Sequence, residues 1–226
     1  MSEPAFLFAD LSGYTALTEV HGDEEAADLV LAFADEVRAI LPGYGAEQVK
    51  TIGDALMIRA EDPERAVRLG IAIVHDVGRR HGFPSVRVGV HAGAAVERDG
   101  DWFGATVNLA ARVSGAAAGG EVLLTAATAE RITGERGSPR LFLRSRGRRE
   151  FRNVADPVEL VEATCEFSHG LGDLPVDPIC RMAVDPEHAA GSLNHEGVEY
   201  WFCSLDCVRR FAEAPTARAA SPGSPS

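Results

Sequence analysis

The sequence predicts an α+β protein: an antiparallel sheet with helices on one face, followed by a small cysteine-bearing, metal-binding unit. Three observations lead there. Apolar periodicity gives the element order β-α-α-β-β-α-β-β-α-β. The 226 residues are 46% hydrophobic and 25% charged, which is enough to bury a real core. All four cysteines (Cys165, Cys180, Cys203, Cys207) fall in the last third of the chain. The expected divisions are a main domain over 1–164, a linker over 165–174, a cysteine unit over 175–215, and a Ser/Pro/Ala tail over 216–226 that is expected to be disordered.

Phe6–Ala9 is a short buried strand ending at Asp10. Ser12 and Gly13 turn the chain into a helix from Tyr14, broken at His21-Gly22. Ala27, Val30, Leu31, Ala34, Val37 and Leu41 recur at helical spacing in Glu24–Leu41, and Pro42-Gly43 ends that helix. Gln48–Ile52 and Ala55–Arg59 read as a hairpin across Gly53-Asp54, and Pro63–Arg79 as a helix. Val86–Ala92 alternates as a strand and is answered by Gly93–Val96; Ala105–Ser114 opens a helix. Glu121–Thr125 and the stretch near Val158–Glu162 complete the strands. Arg146, Arg148 and Arg149 read as a solvated basic turn, and His91 as a structural strand residue.

A net charge of −12 argues against a nucleic-acid surface. The Ala5–Ala9 run is too short for a secretory leader, has no basic lead-in, and no segment approaches a membrane span, so the cytoplasm is the expected address. No sensory domain is expected ahead of Asp10. An acidic protein that binds a polyanionic nucleotide must bring local positive charge or metal to the site. Lys50 is the only lysine among 22 Lys+Arg. An ammonium is a point charge suited to a single ring nitrogen, whereas guanidinium is a fork suited to carboxylate or phosphate.

Asp10 alone reads as a helix N-cap and Asp54 alone as a turn residue. If the first strand lies beside the hairpin, however, both carboxylates emerge at one sheet end and suit Mg²⁺ or Mn²⁺, two ions per site. The Gly13 turn, with Tyr14 and Thr15 opening the next helix, presents backbone N–H groups suited to phosphates. Asn108 and Arg112, at i and i+4, share a helix face: either a solvated polar stripe, or a ribose-orienting amide and a guanidinium that stabilises charge on phosphorus. Lys50 donating and Asp101 accepting is the pattern adenine needs; guanine wants the reverse.

The segments F-A-D-L-S-G-Y-T, V-K-T-I-G-D-A, V-R-V-G-V-H-A-G and D-W-F-G-A-T-V-N-L-A-A-R together resemble the motifs of class III nucleotidyl cyclases over Phe6–Ala163. The resemblance implies a ferredoxin-like, cyclase-type sheet. It makes Asp10 and Asp54 metal ligands, Lys50 and Asp101 the adenine-selecting pair, Asn108 the ribose-orienting residue and Arg112 the transition-state arginine. It also implies a head-to-tail homodimer and a lyase that converts ATP to 3′,5′-cyclic AMP and pyrophosphate. Many members carry Leu-Lys-Gly near the end of the domain, where this chain has Phe151-Arg152-Asn153-Val154, so Arg152 stands in at the triphosphate. One rival is a non-catalytic nucleotide-binding scaffold coupled to metal sensing, against which the complete residue set argues. Another is a diguanylate cyclase, which wants Gly-Gly-Asp/Glu-Glu-Phe where this chain has T-I-G-D-A.

Cys180, Cys203 and Cys207 are spaced C-x22-C-x3-C. Three buried cysteines in a small apolar unit is the plain reading. A unit of this size often needs a metal, and three thiolates suit Zn²⁺ or Cu⁺. V-D-P-I-C-R-M and E-Y-W-F-C-S-L-D-C resemble the YHS domain, which implies a metal-binding unit over Val176–Pro215. For a fourth ligand, His195, His188, Asp206 and water stand open, and His21, His75 and His81 give no pattern. Cys165 reads as a bystander.

Overall fold

The sequence A-F-L-F-A-D-L leaves no face of the first strand for water, and β1 (Ala5–Leu11) lies at the heart of the sheet, buried on both sides. The computed structural model describes residues 3–78, 80, 82–134, 137–166 and 174–215. β1 pairs antiparallel with β3 (Ala55–Ala60) on one side and with β4 (Val86–Ala92) on the other. β2 (Ala46–Ile52) flanks β3, and β7 (Val122–Thr125), β9 (Val158–Cys165) and β8 (Leu141–Arg149) extend the other wing. The seven-stranded order is β2-β3-β1-β4-β7-β9-β8.

Alternation along β1 and β4 divides the core. Leu7, Ala9, Leu11, Val86, Val88 and Val90 pack with α2 (Asp23–Ile40) and α3 (Pro63–Ala72). The last of these begins on an Asp62 cap with Pro63 in its first turn and runs on into a π-helical turn over Ile73–Val77. Phe6 and Phe8 point the other way, against Val107 and Ala110 of α4 (Ala105–Ala116).

Three expectations are corrected here. The helices occupy both faces of the sheet, not one. Gly89 is the physical reason: a Cβ there would fall 1.9 Å from the backbone nitrogen of Ser114, so α4 rests directly on β4. The sheet is mixed, because β7 runs parallel to β4 after the α4 crossing. The stretch holding Arg146, Arg148 and Arg149 is no turn; it lies in the nine-residue edge strand β8. That strand is nearly all exposed, so no apolar alternation marks it, and its arginines suit an unprotected edge. Arg146 reaches Glu121 at 2.7 Å, and Arg144 reaches Glu162 at 2.9 Å.

The segment after β4 forms a separate ribbon, β5 (Val96–Arg98) with β6 (Asp101–Phe103). Trp102 anchors it: its ring centre lies 5.6 Å from that of Phe6 and 4.8 Å from the Arg59 guanidinium carbon. Beyond β7 comes the short helix α5 (Ala126–Ala129).

The cysteine-bearing part holds a hairpin, β10 (Gly191–His195) with β11 (Val198–Phe202), and α6 (Leu205–Glu213), capped by Ser204. It does not stand apart. Met182, Phe202 and Phe211 share one apolar cluster with Leu17 of α1 (Tyr14–His21) and Ala26 of α2. Residues around Pro84 pair with Met182, and Ser85 N–H donates to the Arg181 carbonyl at 3.0 Å. The expected linker beyond Glu166 up to residue 173, the expected disordered tail over 216–226, and His81 lie outside the described residues.

Candidate functional site

Asp10, next to the last residue of β1, lies on the α4 face, since it alternates in phase with Phe6 and Phe8. Its register partner on β3 is Ala55, which brings the neighbouring turn residue Asp54 alongside it. The two carboxyls interact: burial, then the charge of Asp10, push Asp54 up to about 6. On the other side the register partner of Asp10 is Arg87 of β4, which donates to it through Nε at 2.7 Å and also through Nη2. Arg87 was visible within V-R-V-G-V-H-A-G but carried no assignment. Only the pairing register of two strands makes it a partner of Asp10.

Gly13 follows with φ +85, a left-handed turn that opens α1 without a side-chain cap. Its α-carbon is covered by Arg181, whose Cγ would lie 2.7 Å from a Cβ at that position. Tyr14 packs between the main core and the cysteine cluster, while Thr15 is exposed and accepts from the Thr18 hydroxyl at 2.8 Å.

Lys50 registers with Met57, which belongs to the Phe6–Phe8 cluster, so it too stands on the α4 face. Its Nζ donates to Asp101 Oδ2 at 2.6 Å, and the Asp101 Oδ1 accepts from Trp102 N–H at 2.8 Å. The Lys50 hydrogen bond holds the Asp101 carboxyl below its ordinary range. The predicted pair is therefore assembled within one chain. Asn108, exposed, and Arg112, half-buried, lie one turn apart on α4. Arg152 is exposed in the β8–β9 connection, next to Phe151, which packs against the cluster of Val113, Leu123 and Leu160. The candidate residues thus fall into three groups by element and partner: the aspartate pair, the Lys50–Asp101 pair and the pair on α4.

A second constellation joins the two parts of the chain. Cys180 Sγ lies 3.3 Å from Cys203 Sγ, and Cys203 Sγ lies 3.8 Å from Cys207 Sγ. The fourth member is His21, the last residue of α1, with Nε2 3.5 Å from Cys203 Sγ. All four donor atoms fall within 4.8 Å of one another. Asp177, fully buried, organises the loops: one oxygen accepts from Ile179 N–H at 2.8 Å and the other from Cys203 N–H at 2.9 Å. The residues weighed as fourth ligands sit elsewhere. His188 pairs with Asp185 and Asp206 with Arg209, while His195 lies edge-on to Phe211 at 6.1 Å. His21 is far from the cysteines in sequence, and only the docking of the C-terminal part on α1 brings it in.

The chain matches the profile of the adenylate and guanylate cyclase catalytic domain over residues 2–155. It is 36% identical over 132 residues to an adenylate cyclase of Streptomyces coelicolor, covering 58% of this chain and 35% of that protein. It is 38% identical over 159 residues to a pH-sensitive adenylate cyclase of Mycobacterium tuberculosis, covering 62% of this chain and 40% of that protein. The chain thus spans well under half the length of these curated relatives. Among solved structures, an adenylate cyclase of Trypanosoma brucei in its monomeric state superposes with a TM-score of 0.62 at 26% identity, over 72% of this chain and 88% of that one. The profile covers more than half of the chain, and this chain belongs to the adenylate and guanylate cyclase catalytic domain family.

Proposed function

We propose that this protein is an adenylate cyclase, converting ATP to 3′,5′-cyclic AMP and pyrophosphate. The observation that carries the reading is the Lys50–Asp101 pair: a donor and an acceptor side by side, held 2.6 Å apart beside the face that bears Asp10. Lys50 donates to a ring nitrogen of adenine and Asp101 accepts from its exocyclic amine.

Asp10 and Asp54 fit a hard divalent cation. Two carboxylates forced together, one pushed up to about 6, are relieved by positive charge between them. Mg²⁺ or Mn²⁺ held there, two ions per site, would supply Lewis acidity at the α-phosphate and charge compensation for the departing pyrophosphate. The ribose 3′-oxygen attacks the α-phosphorus as the bond to the β-phosphate oxygen breaks, and its proton passes to solvent. Asn108 orients the ribose, and Arg112 offsets the charge growing on phosphorus, a role whose loss typically costs roughly 10²–10³ in rate. Backbone N–H groups of Gly13, Tyr14 and Thr15, with Arg152, hold the phosphates.

The three residue groups come together in our reading across a head-to-tail homodimer with two equivalent sites, each chain giving its aspartates to one and its base and ribose groups to the other. The C-terminal part, through its resemblance to the YHS domain, is read as a metal-binding unit. Among the described residues no helix is long and apolar enough to cross a membrane. We place the enzyme in the cytoplasm.

The test is cyclic nucleotide and pyrophosphate formation by the purified chain with Mn²⁺, offered ATP and GTP, with Asp10→Ala as blank. Cyclic AMP from ATP, absent from the blank, is the expected result. ATP binding to a folded dimer without product would replace the enzyme with a nucleotide-binding scaffold.

A further inference from the structure

We propose that His21, Cys180, Cys203 and Cys207 bind one Zn²⁺, and that this ion fastens the C-terminal part to the helix that begins beside Asp10. The ligand set is split: three thiols come from the C-terminal part and the imidazole from α1.

Three of the six donor separations lie near those of a tetrahedral zinc site, and all four donors are within 4.8 Å of one another. Zinc–sulfur bonds of about 2.3 Å and zinc–nitrogen bonds of about 2.0–2.1 Å put thiolates about 3.8 Å apart and nitrogen about 3.6 Å from sulfur. The structure has sulfur–sulfur separations of 3.3 and 3.8 Å and a sulfur–nitrogen separation of 3.5 Å. A disulfide would need about 2.05 Å, and all three cysteines are free thiols. Three thiolates and one imidazole, four donors in all, favour Zn²⁺ among available ions.

Two independent features prepare these donors. His21 Nδ1 faces Glu25 Oε1 at 3.3 Å, one helical turn on, across the Gly22 break. With a proton on Nδ1 facing this carboxylate, Nε2 is the nitrogen left to ligate, as in a carboxylate–histidine–metal arrangement. The His21 side chain is only 11% exposed, against 57% for Glu25. Cys207 lies in the first turn of α6, and its backbone N–H is held by the Ser204 cap at 3.2 Å.

The ion would act at a distance through short links. Cys180 is followed by Arg181, whose side chain covers Gly13 and whose carbonyl accepts from Ser85. The Ser85 carbonyl in turn accepts from Ser12 N–H at 2.7 Å. Helix α1 is thereby held at its start, where Arg181 covers Gly13, and at its last residue, through His21.

The full-length chain, stripped of metal and reduced, is titrated with Zn²⁺ against a competing chelator and with Co²⁺ followed by absorption. One equivalent of each is expected, with thiolate-to-cobalt charge-transfer bands and tetrahedral ligand-field bands. His21→Ala should weaken Zn²⁺ by at least about 100-fold and Glu25→Gln by roughly 10-fold, while His188→Ala and His195→Ala leave it unchanged. His21→Cys, which restores a fourth ligand, should bind zinc again and thereby separates ligation from loss of packing. Zinc should raise Tm in the parent chain and in His21→Cys by clearly more than in His21→Ala. No zinc uptake by the reduced parent would overturn the site. Parent-like affinity in a folded His21→Ala would overturn the split ligand set. Neither readout depends on cyclase activity, so the clasp and the proposed enzyme stand or fall separately.

Discussion

Arg87 sits directly across from Asp10 in the β1–β4 register and donates to its carboxylate, so an arginine occupies the flank of the acidic pair that faces β4. It offsets the repulsion between Asp10 and Asp54, and it competes with any cation for Asp10.

The first prediction concerns this pair. Arg87→Leu should lower stability in chelator by about 1 kcal/mol, a modest figure because both side chains retain some solvent contact. In Mn²⁺ the loss should shrink, because metal replaces the missing charge. Urea unfolding with and without Mn²⁺ reads both. An equal loss in the two conditions would mean that Arg87 does not compete with metal at Asp10.

The second concerns base choice. Lys50→Glu removes the donor and places a carboxylate against Asp101, 2.6 Å from the present Nζ position. The kcat/KM for ATP should fall roughly 10–100-fold, the cost of a lost charge-assisted hydrogen bond, and the GTP:ATP ratio should rise. An unchanged ratio would show that base recognition lies elsewhere.

The third concerns pH. His91 Nδ1 is hydrogen-bonded to the Thr125 hydroxyl at 2.8 Å, and burial, reinforced by Arg131, lowers this imidazole from 6.5 to about 4. The unfolded chain takes up that proton at higher pH than the native one. The native state therefore has its full advantage above pH 6.5 and loses it as pH falls towards 4, by about 2 kcal/mol given partial solvent contact. The unfolding free energy of the parent minus that of His91→Gln should fall as pH drops across this window; the raised Asp54, which acts in the opposite sense there, is common to both and cancels in the difference.

The fourth concerns α4. Gly89→Ala puts a methyl group 1.9 Å from the Ser114 backbone nitrogen, so the helix must lift from the sheet. A cost of about 3 kcal/mol or more is expected in denaturant. Because α4 carries Asn108 and Arg112, activity should fall further than the unfolded fraction explains.

Much of this was legible in the chain. β1, the β2–β3 hairpin and α4 announce themselves by apolar runs and periodicity, and Lys50 and Asp101 by their chemistry. What was hidden depended on pairing or on missing cover. β8 has no buried face to impose a pattern, and Arg87 acquires its partner only through strand register. His21 lies among helical residues with nothing nearby in sequence to mark it as a neighbour of thiols. The second helical layer was hidden because its sign is an absent side chain, at Gly89.

The cluster that joins Leu17 and Ala26 to Met182, Phe202 and Phe211 has a practical consequence. A chain cut after Glu166 would leave those first two residues, with Val20 and Leu29 beside them, facing water as a sticky patch on an otherwise acidic surface. Such a fragment should come out of cells in inclusion bodies, or hold to itself in the wrong geometry. The cyclase-family part of this protein is therefore best produced, stored and assayed with its C-terminal companion attached.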